Sequence, residues 1–235
     1  RNVFTGPARR AGEQFMIIDP LSYADKGRRA WQYLPGQRRV KLAPDLAFDT
    51  PNPGTVGATT FDDAFLFNGS LERYDFKLIG TQELYVPYND FRVGSDKLKY
   101  SDILKVRHIN QDLTRYELHR VWIVEANLRP GTSHIYKKRV FYIDEDSWQI
   151  VATDLYDKRD QLWRVQEAHP VPTYDPGAVT KEASGALGPV LETSYDLTSG
   201  RYLAMSMSNE DPAATEQIYP ESYFDPGNVS KQAIK

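Results

Sequence analysis

The stretch Arg115–Ala126, RYELHRVWIVEA, limits the fold most sharply. Its even positions Tyr116, Leu118, Trp122 and Val124 share one face of a strand. The odd positions Arg115, Glu117, His119 and Glu125 share the other, with Val121 and Ile123. Three further strands follow over Tyr136–Asp144, Gln149–Tyr156 and Leu162–Ala168. The turns between them are short and polar: Arg129-Pro130-Gly131-Thr132, Glu145-Asp146-Ser147 and Asp157-Lys158-Arg159-Asp160. Four such strands in succession predict an up-and-down antiparallel meander.

The same style of segment occurs upstream. Arg28–Pro44 reads as one hairpin, with Trp31 and Tyr33 on one face. Leu34-Pro35-Gly36-Gln37 supplies its turn, Pro35 presetting φ and Gly36 tolerating a positive one. Glu13–Asp19 is a strand, and Tyr23–Gly27 is a turn. Phe48–Thr60 is a loop rich in Pro, Gly and Thr. Thr60 caps a short helix with Asp62 and Asp63 in its first turn, carrying Phe61 and Phe65 and ending near Asn68-Gly69. Tyr74, Phe76 and Leu78 stand at strand spacing, and Leu84–Val86 continues to Pro87. His169–Gly188, with Pro170, Pro172 and Pro176, reads as a long loop. Val190–Asp196 and Arg201–Ser208 form a last hairpin. Tyr174–Thr180 and Phe224–Ser230 both carry Asp-Pro-Gly, consistent with one turn used twice or with a duplication. The expected organisation is a single domain over 1–235, with 169–235 as a loop-rich C-terminal extension.

The chain has 235 residues, a net charge of −3 and no cysteine. That charge provides no global field for nucleic acid or an anionic membrane. Without cysteine there are no disulfides, zinc–thiolate sites, iron–sulfur clusters or thiol catalysis. No apolar run is long enough for a membrane-spanning helix. Arg1 is not a natural start, so a processed or trimmed N-terminus is expected. None of His108, His119, His134 and His169 has a metal-binding spacing with Glu, and His119 reads as a solvated or hydrogen-bonded side chain. There is no Gly-x-Ser-x-Gly elbow, dinucleotide fingerprint or phosphate loop. Asp62-Asp63 and Asp144-Glu145-Asp146 could serve acid–base work or calcium. Their placement favours solvated turn carboxylates. The expectation is no enzyme activity, no catalytic residue, no metal and no cofactor.

What remains is aromatic. Phe15, Ile17, Trp31, Tyr33, Phe65, Phe76, Tyr116, Trp122, Phe141 and Ile143 are candidates for the wall of a hydrophobic cavity, with Trp148 and Ile150 beside them. An aromatic face also fits an ordinary core under a helix, and the pattern leaves both open. Trp31-Gln32-Tyr33-Leu34-Pro35-Gly36 with Arg38-Arg39-Val40 resembles the W-x-Y-x-P hairpin of the LolA/LolB lipoprotein carriers. Phe141–Asp144 followed by Trp148–Val151 is similar to that superfamily's strand–acidic turn–strand. Tyr23–Val40 resembles an uncharacterised bacterial family of outer-membrane lipoprotein-sorting-like proteins. The resemblance implies a mainly β fold: a strongly curved antiparallel sheet, or half-open β-barrel, with a few short helices over its concave face. It implies periplasmic localisation and a carrier of a hydrophobic small molecule or acyl chain. The alternative is an envelope scaffold or accessory subunit docking to an outer-membrane or efflux protein. Family members are longer, which implies a segment ahead of Arg1.

Overall fold

The computed structural model describes residues 1–20, 27–43, 48–175, 184–211 and 219–230. The predicted turn at 23–26 and part of the first Asp-Pro-Gly copy lie outside them. The chain divides into two compact units, residues 1–50 with 215–235, and residues 51–214.

In the first unit β1 (Asn2–Val3), β2 (Gln14–Ile18), β3 (Arg29–Leu34) and β4 (Arg39–Leu42) form an antiparallel sheet in chain order. The predicted hairpin is present, with Tyr33 opposite Val40 and Trp31 opposite Leu42. Its turn differs from expectation. Pro35–Gln37 is a 3-10 turn, and the left-handed residue is Arg38 at φ 49°, not Gly36. Arg38 closes the turn by donating its N–H to the carbonyls of Leu34 and Pro35. Met16, Tyr33 and Val229 make the buried cluster, with Ile18, Trp31 and Val40 packed on it.

The second unit is one seven-stranded antiparallel sheet. Its strands are β5 (Tyr74–Pro87), β6 (Tyr116–Leu128), β7 (Lys138–Asp144), β8 (Ile150–Tyr156), β9 (Leu162–Asp175), β10 (Ser184–Asp196) and β11 (Arg201–Met205). Each lies beside its sequence neighbour, so the predicted meander extends across the whole sheet. The loop predicted over 169–188 is a correction: its described residues belong to β9 and β10. Pro170 and Pro172 are accommodated beside a bulge between Pro189 and Leu191, where a strand tolerates a residue without an N–H. The helix predicted after Thr60 is also corrected. Phe61–Leu66 is a 3-10 segment broken by left-handed Phe65 and Leu66 (φ 54° and 66°).

The register assigns the faces. One row crosses the sheet as Leu78, Val124, Phe141, Thr153, Gln166, Ser194 and Leu203. A parallel row runs Phe76, Ala126, Arg139, Leu155, Arg164, Asp196 and Arg201. Both rows belong to what we term the first face, and Phe61–Leu66 lies over its β8–β10 part. Residues 88–113, including α1 (Tyr100–Ile103), cover part of the opposite face. There Val93, Ile103, Ile109 and Leu113 pack with Leu191. On the first face Tyr74, Ala126 and Phe141 form a buried cluster, and the Phe67 ring stands 5.1 Å from that of Phe141. Truncating Phe141 to Ala leaves a hole that a sheet has little freedom to close. The expected loss is about 3–4 kcal/mol of unfolding free energy, read by urea denaturation; a loss below about 1 kcal/mol contradicts this packing.

Candidate functional site

The first face has three chemically different parts, and a buried charged seam organises them. Its centre is Arg139, brought inward on β7 by the alternation that also buries Phe141. Nη2 of Arg139 donates to Asp62 Oδ1 and Nη1 to Asp63 Oδ1, both at 2.8 Å. Asp62 is 0% exposed and Asp63 1%, which corrects their reading as solvated turn carboxylates. The local sequence holds them in place. Thr60 donates its N–H to Asp63 Oδ2 at 2.8 Å and its hydroxyl to Asp62 Oδ1 at 2.6 Å. Tyr136 OH donates to Asp63 Oδ2 at 3.2 Å, and Arg164 Nη1 donates to Tyr136 OH at 2.8 Å. His134 Nδ1 accepts the Tyr136 N–H, which leaves the ring proton on Nε2, 3.2 Å from Asp62 Oδ2.

Electrostatics follow from this geometry. Burial alone would raise the Asp62 pKa; Arg139, then His134 and Thr60, outweigh it and bring it to about 2. Burial works against the Arg139 charge, and the two carboxylates hold it on. The Tyr136 hydroxyl is pushed up by burial and then by the Asp63 charge. A group so enclosed, with Arg139 bonded to both carboxylates, fixes the segment Thr60–Asp63 to the sheet.

The second part lies toward β5. Leu78 (58% exposed) and Phe76 (41%) stand on this edge strand, next to half-buried Val124, Trp122, Ile143 and Ile150. Trp122 pairs with Ile143 and Ile143 with Ile150. The buried Trp122 Nε1 has no hydrogen-bond partner. Four predicted wall residues, Phe76, Trp122, Phe141 and Ile143, thus share this region. Phe67, which the sequence reading passed over, joins them through rings 6.3 Å from Phe76 and 6.0 Å from Tyr74.

The other six lie elsewhere. Phe65 is 66% exposed on the covering segment. The Tyr116 hydroxyl turns to Glu167 at 3.5 Å, and its ring lies 6.5 Å from His169. Phe15, Ile17, Trp31 and Tyr33 are in the first unit. There the register puts Trp31 and Tyr33 opposite Met16 and Gln14, while Phe15 and Ile17 face Gln32 and Ala30 on the reverse side. The third part of the face is a cavity of about 310 Å³ under Thr55–Ala58, at the β10–β11 hairpin. Among the described residues, none of the ten predicted positions borders it.

Two histidines on the opposite face are hydrogen-bonded. His119 Nδ1 and Asp144 Oδ1 are 2.7 Å apart, in keeping with the expected hydrogen-bonded side chain. Asp144 is fully buried, because Ser147 donates both its N–H and its hydroxyl to Oδ2; Asp146 remains exposed. His119, Asp144 and Asp146 place ligand atoms within 4.8 Å of one another, but the His119–Asp144 bond already engages two of them. His169 and Asp90 form a second pair, 2.7 Å apart and wholly buried. Among the described residues no helix is long and apolar enough to cross a membrane.

The described residues thus form two antiparallel sheets with few helices, and one sheet carries a partly covered apolar face. Residues 1–230 match the family described as protein of unknown function (DUF1329), and the chain belongs to that family. It is 46% identical over 233 residues to an uncharacterized protein of Pseudomonas aeruginosa strain PAO1. The alignment covers 98% of the chain and 50% of that protein, so the chain spans about half the length of the curated relative it matches. Among solved structures it is similar to a DUF1329 family protein from Desulfovibrio piger, with TM-score 0.59, 15% identity, and coverage of 97% of this chain and 75% of that one. It is also similar to a Vibrio parahaemolyticus domain named for outer membrane lipoprotein sorting, with TM-score 0.57, 14% identity and the same coverage. These likenesses establish a shared fold.

The seam makes two predictions. Replacing Arg139 by Met strands two buried carboxylates, and the expected loss is about 3–5 kcal/mol in urea unfolding; a loss under about 1 kcal/mol contradicts the clamp. The Asp62 pKa is depressed in the folded state, so its contribution is present above the ordinary value of 3.8 and disappears as pH falls through about 2. Thermal unfolding between those limits should therefore show a falling midpoint in the wild type, and a shallower fall in Asp62→Asn.

Proposed function

We propose that this chain is a periplasmic, non-enzymatic carrier whose open apolar sheet face seats an acyl chain or similar hydrophobic guest. The observation that carries the reading is the band Phe76, Leu78, Trp122, Val124, Ile143 and Ile150, contiguous by register and only partly covered. Apolar surface left in contact with water is costly, and a guest that covers it recovers about 25 cal/mol per Å². Leu78, next to the bulge at Ile79 and Gly80, stands at the entrance in this reading. In this reading the sheet bends round the guest as a half-open barrel, and the segment 61–66 borders it on the β8–β10 side. The fold shared with the Vibrio domain supports a carrier architecture. The absence of an accessible acid, base or nucleophile from the seam favours binding over catalysis.

A second reading draws on β5 itself. It is an edge strand of 14 residues with exposed Phe76, Leu78 and Ile79. An edge of that kind can pair with a strand of an outer-membrane or efflux partner, as the scaffold alternative requires.

Titration with a fluorescent long-chain fatty acid separates the two. The carrier reading expects saturable binding that Leu78→Asp weakens about tenfold or more while the unfolding midpoint stays near wild type. Trp122→Asp should remove binding entirely. Wild-type protein that takes up neither fatty acid nor lipopeptide would leave the edge-strand reading in its place.

A further inference from the structure

The cavity at the β10–β11 hairpin has a different chemistry from the apolar band. Its volume is about 310 Å³, and its wall includes Arg164, Ser194, Asp196, Ser199 and Arg201 beneath Thr55–Ala58. The register explains the grouping. Arg164, Asp196 and Arg201 end one row of the first face, and Ser194 with Leu203 ends the adjacent row.

Three observations make this a built site. Ser194 is 3% exposed, and its hydroxyl has no hydrogen-bond partner. Arg164, also buried, has an Nε without a hydrogen bond; its nearest carboxylate oxygen is Asp196 Oδ2 at 3.5 Å. Arg164 is held by its Nη1 bond to Tyr136 and by its guanidinium lying 4.2 Å over the Trp163 ring, so its position is set before any guest arrives. Among the described residues Arg201 makes no ion pair. Asp196 is already engaged: it accepts from the N–H groups of Thr198 and Ser199 and from Trp163 Nε1. Two guanidinium groups against one committed carboxylate leave the wall positive. Two of the lining residues, Ser194 and Arg164, each carry a buried donor without a hydrogen-bond partner.

From this geometry we infer a binding site for a phosphate-type oxyanion, with Arg164 and Arg201 as the charged clamp and Ser194 as a neutral donor. Guanidinium forks match phosphate oxygens geometrically, and charge-assisted hydrogen bonds in a part-buried cleft are stronger than neutral ones. The phosphate can be free or borne by a lipid headgroup, since the same donors serve both. The inference stands apart from the carrier proposal and does not depend on fatty acid uptake.

The test uses the whole chain at low ionic strength, with two probes. Calorimetric titration with inorganic phosphate reads the free ion. Co-sedimentation with vesicles of phosphatidylcholine containing phosphatidic acid, against phosphatidylcholine alone, reads the headgroup. Saturable binding in either arm is expected. Arg201→Gln, an exposed position away from the seam, should weaken it about tenfold, and Ser194→Ala by a smaller factor. Added salt should weaken it as well. Binding in the vesicle arm only assigns a headgroup, and binding in the phosphate arm assigns the free ion. No saturable binding in either arm, or binding that Arg201→Gln leaves unchanged with the fold intact, overturns the inference.

Discussion

The fork of Arg139 on Asp62 and Asp63 is the constraint on which the sheet's first face depends. An isolated guanidinium could not be buried to this degree; the cost of removing it from water is several kcal/mol. Two adjacent carboxylates answer it with two parallel bonds of 2.8 Å. The carboxylates reach it only because Thr60 binds both of them and the chain then kinks at Ala64 and Phe65. The broken 3-10 conformation is thus the shape the pair demands. An unbroken α-helix would carry consecutive side chains about 100° apart round its axis and would turn one carboxylate away. Such a pair adds modestly to net stability compared with a hydrophobic substitute, but it specifies one position for the covering segment.

That specification divides the face. Phe61–Leu66 is held over β8–β10, so the β5–β7 side keeps its apolar surface open. The bulge at Ile79 and the glycine that follows, Gly80 at φ 154°, let the edge strand change its pairing phase without losing the ladder to β6. Phe76 and Leu78 therefore keep to the first face below the bulge, while Thr81, Glu83 and Tyr85 resume it above. A cover pinned by charge rather than by grease can leave a greasy surface next to it exposed; a cover held by apolar packing would have consumed that surface itself.

Period-two alternation made the meander and its faces legible, since each strand is long enough to declare its own phase. The relative phase of strands distant in sequence was not legible. Phe15 with Ile17, and Trp31 with Tyr33, are each correctly paired on a face of their own strand. Only the register Met16 opposite Trp31 reveals that the two faces differ. The seam was hidden for a related reason. Adjacent carboxylates after a capping Thr look like solvated dipole partners, and the cation that buries them stands 76 or 77 residues later. One clue was available: Arg139 shares parity with Phe141 and Ile143, so a strand that buries those two must also carry an arginine inward. Pro170 misled because a proline breaks a strand in general but not beside a bulge.

The row from Leu78 to Leu203 changes character part-way along. Leu78, Val124 and Phe141 are apolar; Thr153, Gln166 and Ser194, the next three, have buried side-chain oxygens without partners. Buried polar atoms without partners are rare, because each costs about 1–3 kcal/mol. From β7 to β10 is three strand spacings, about 15 Å. Over that distance the row passes from open apolar surface to polar atoms buried on the part of the face that Phe61–Leu66 covers.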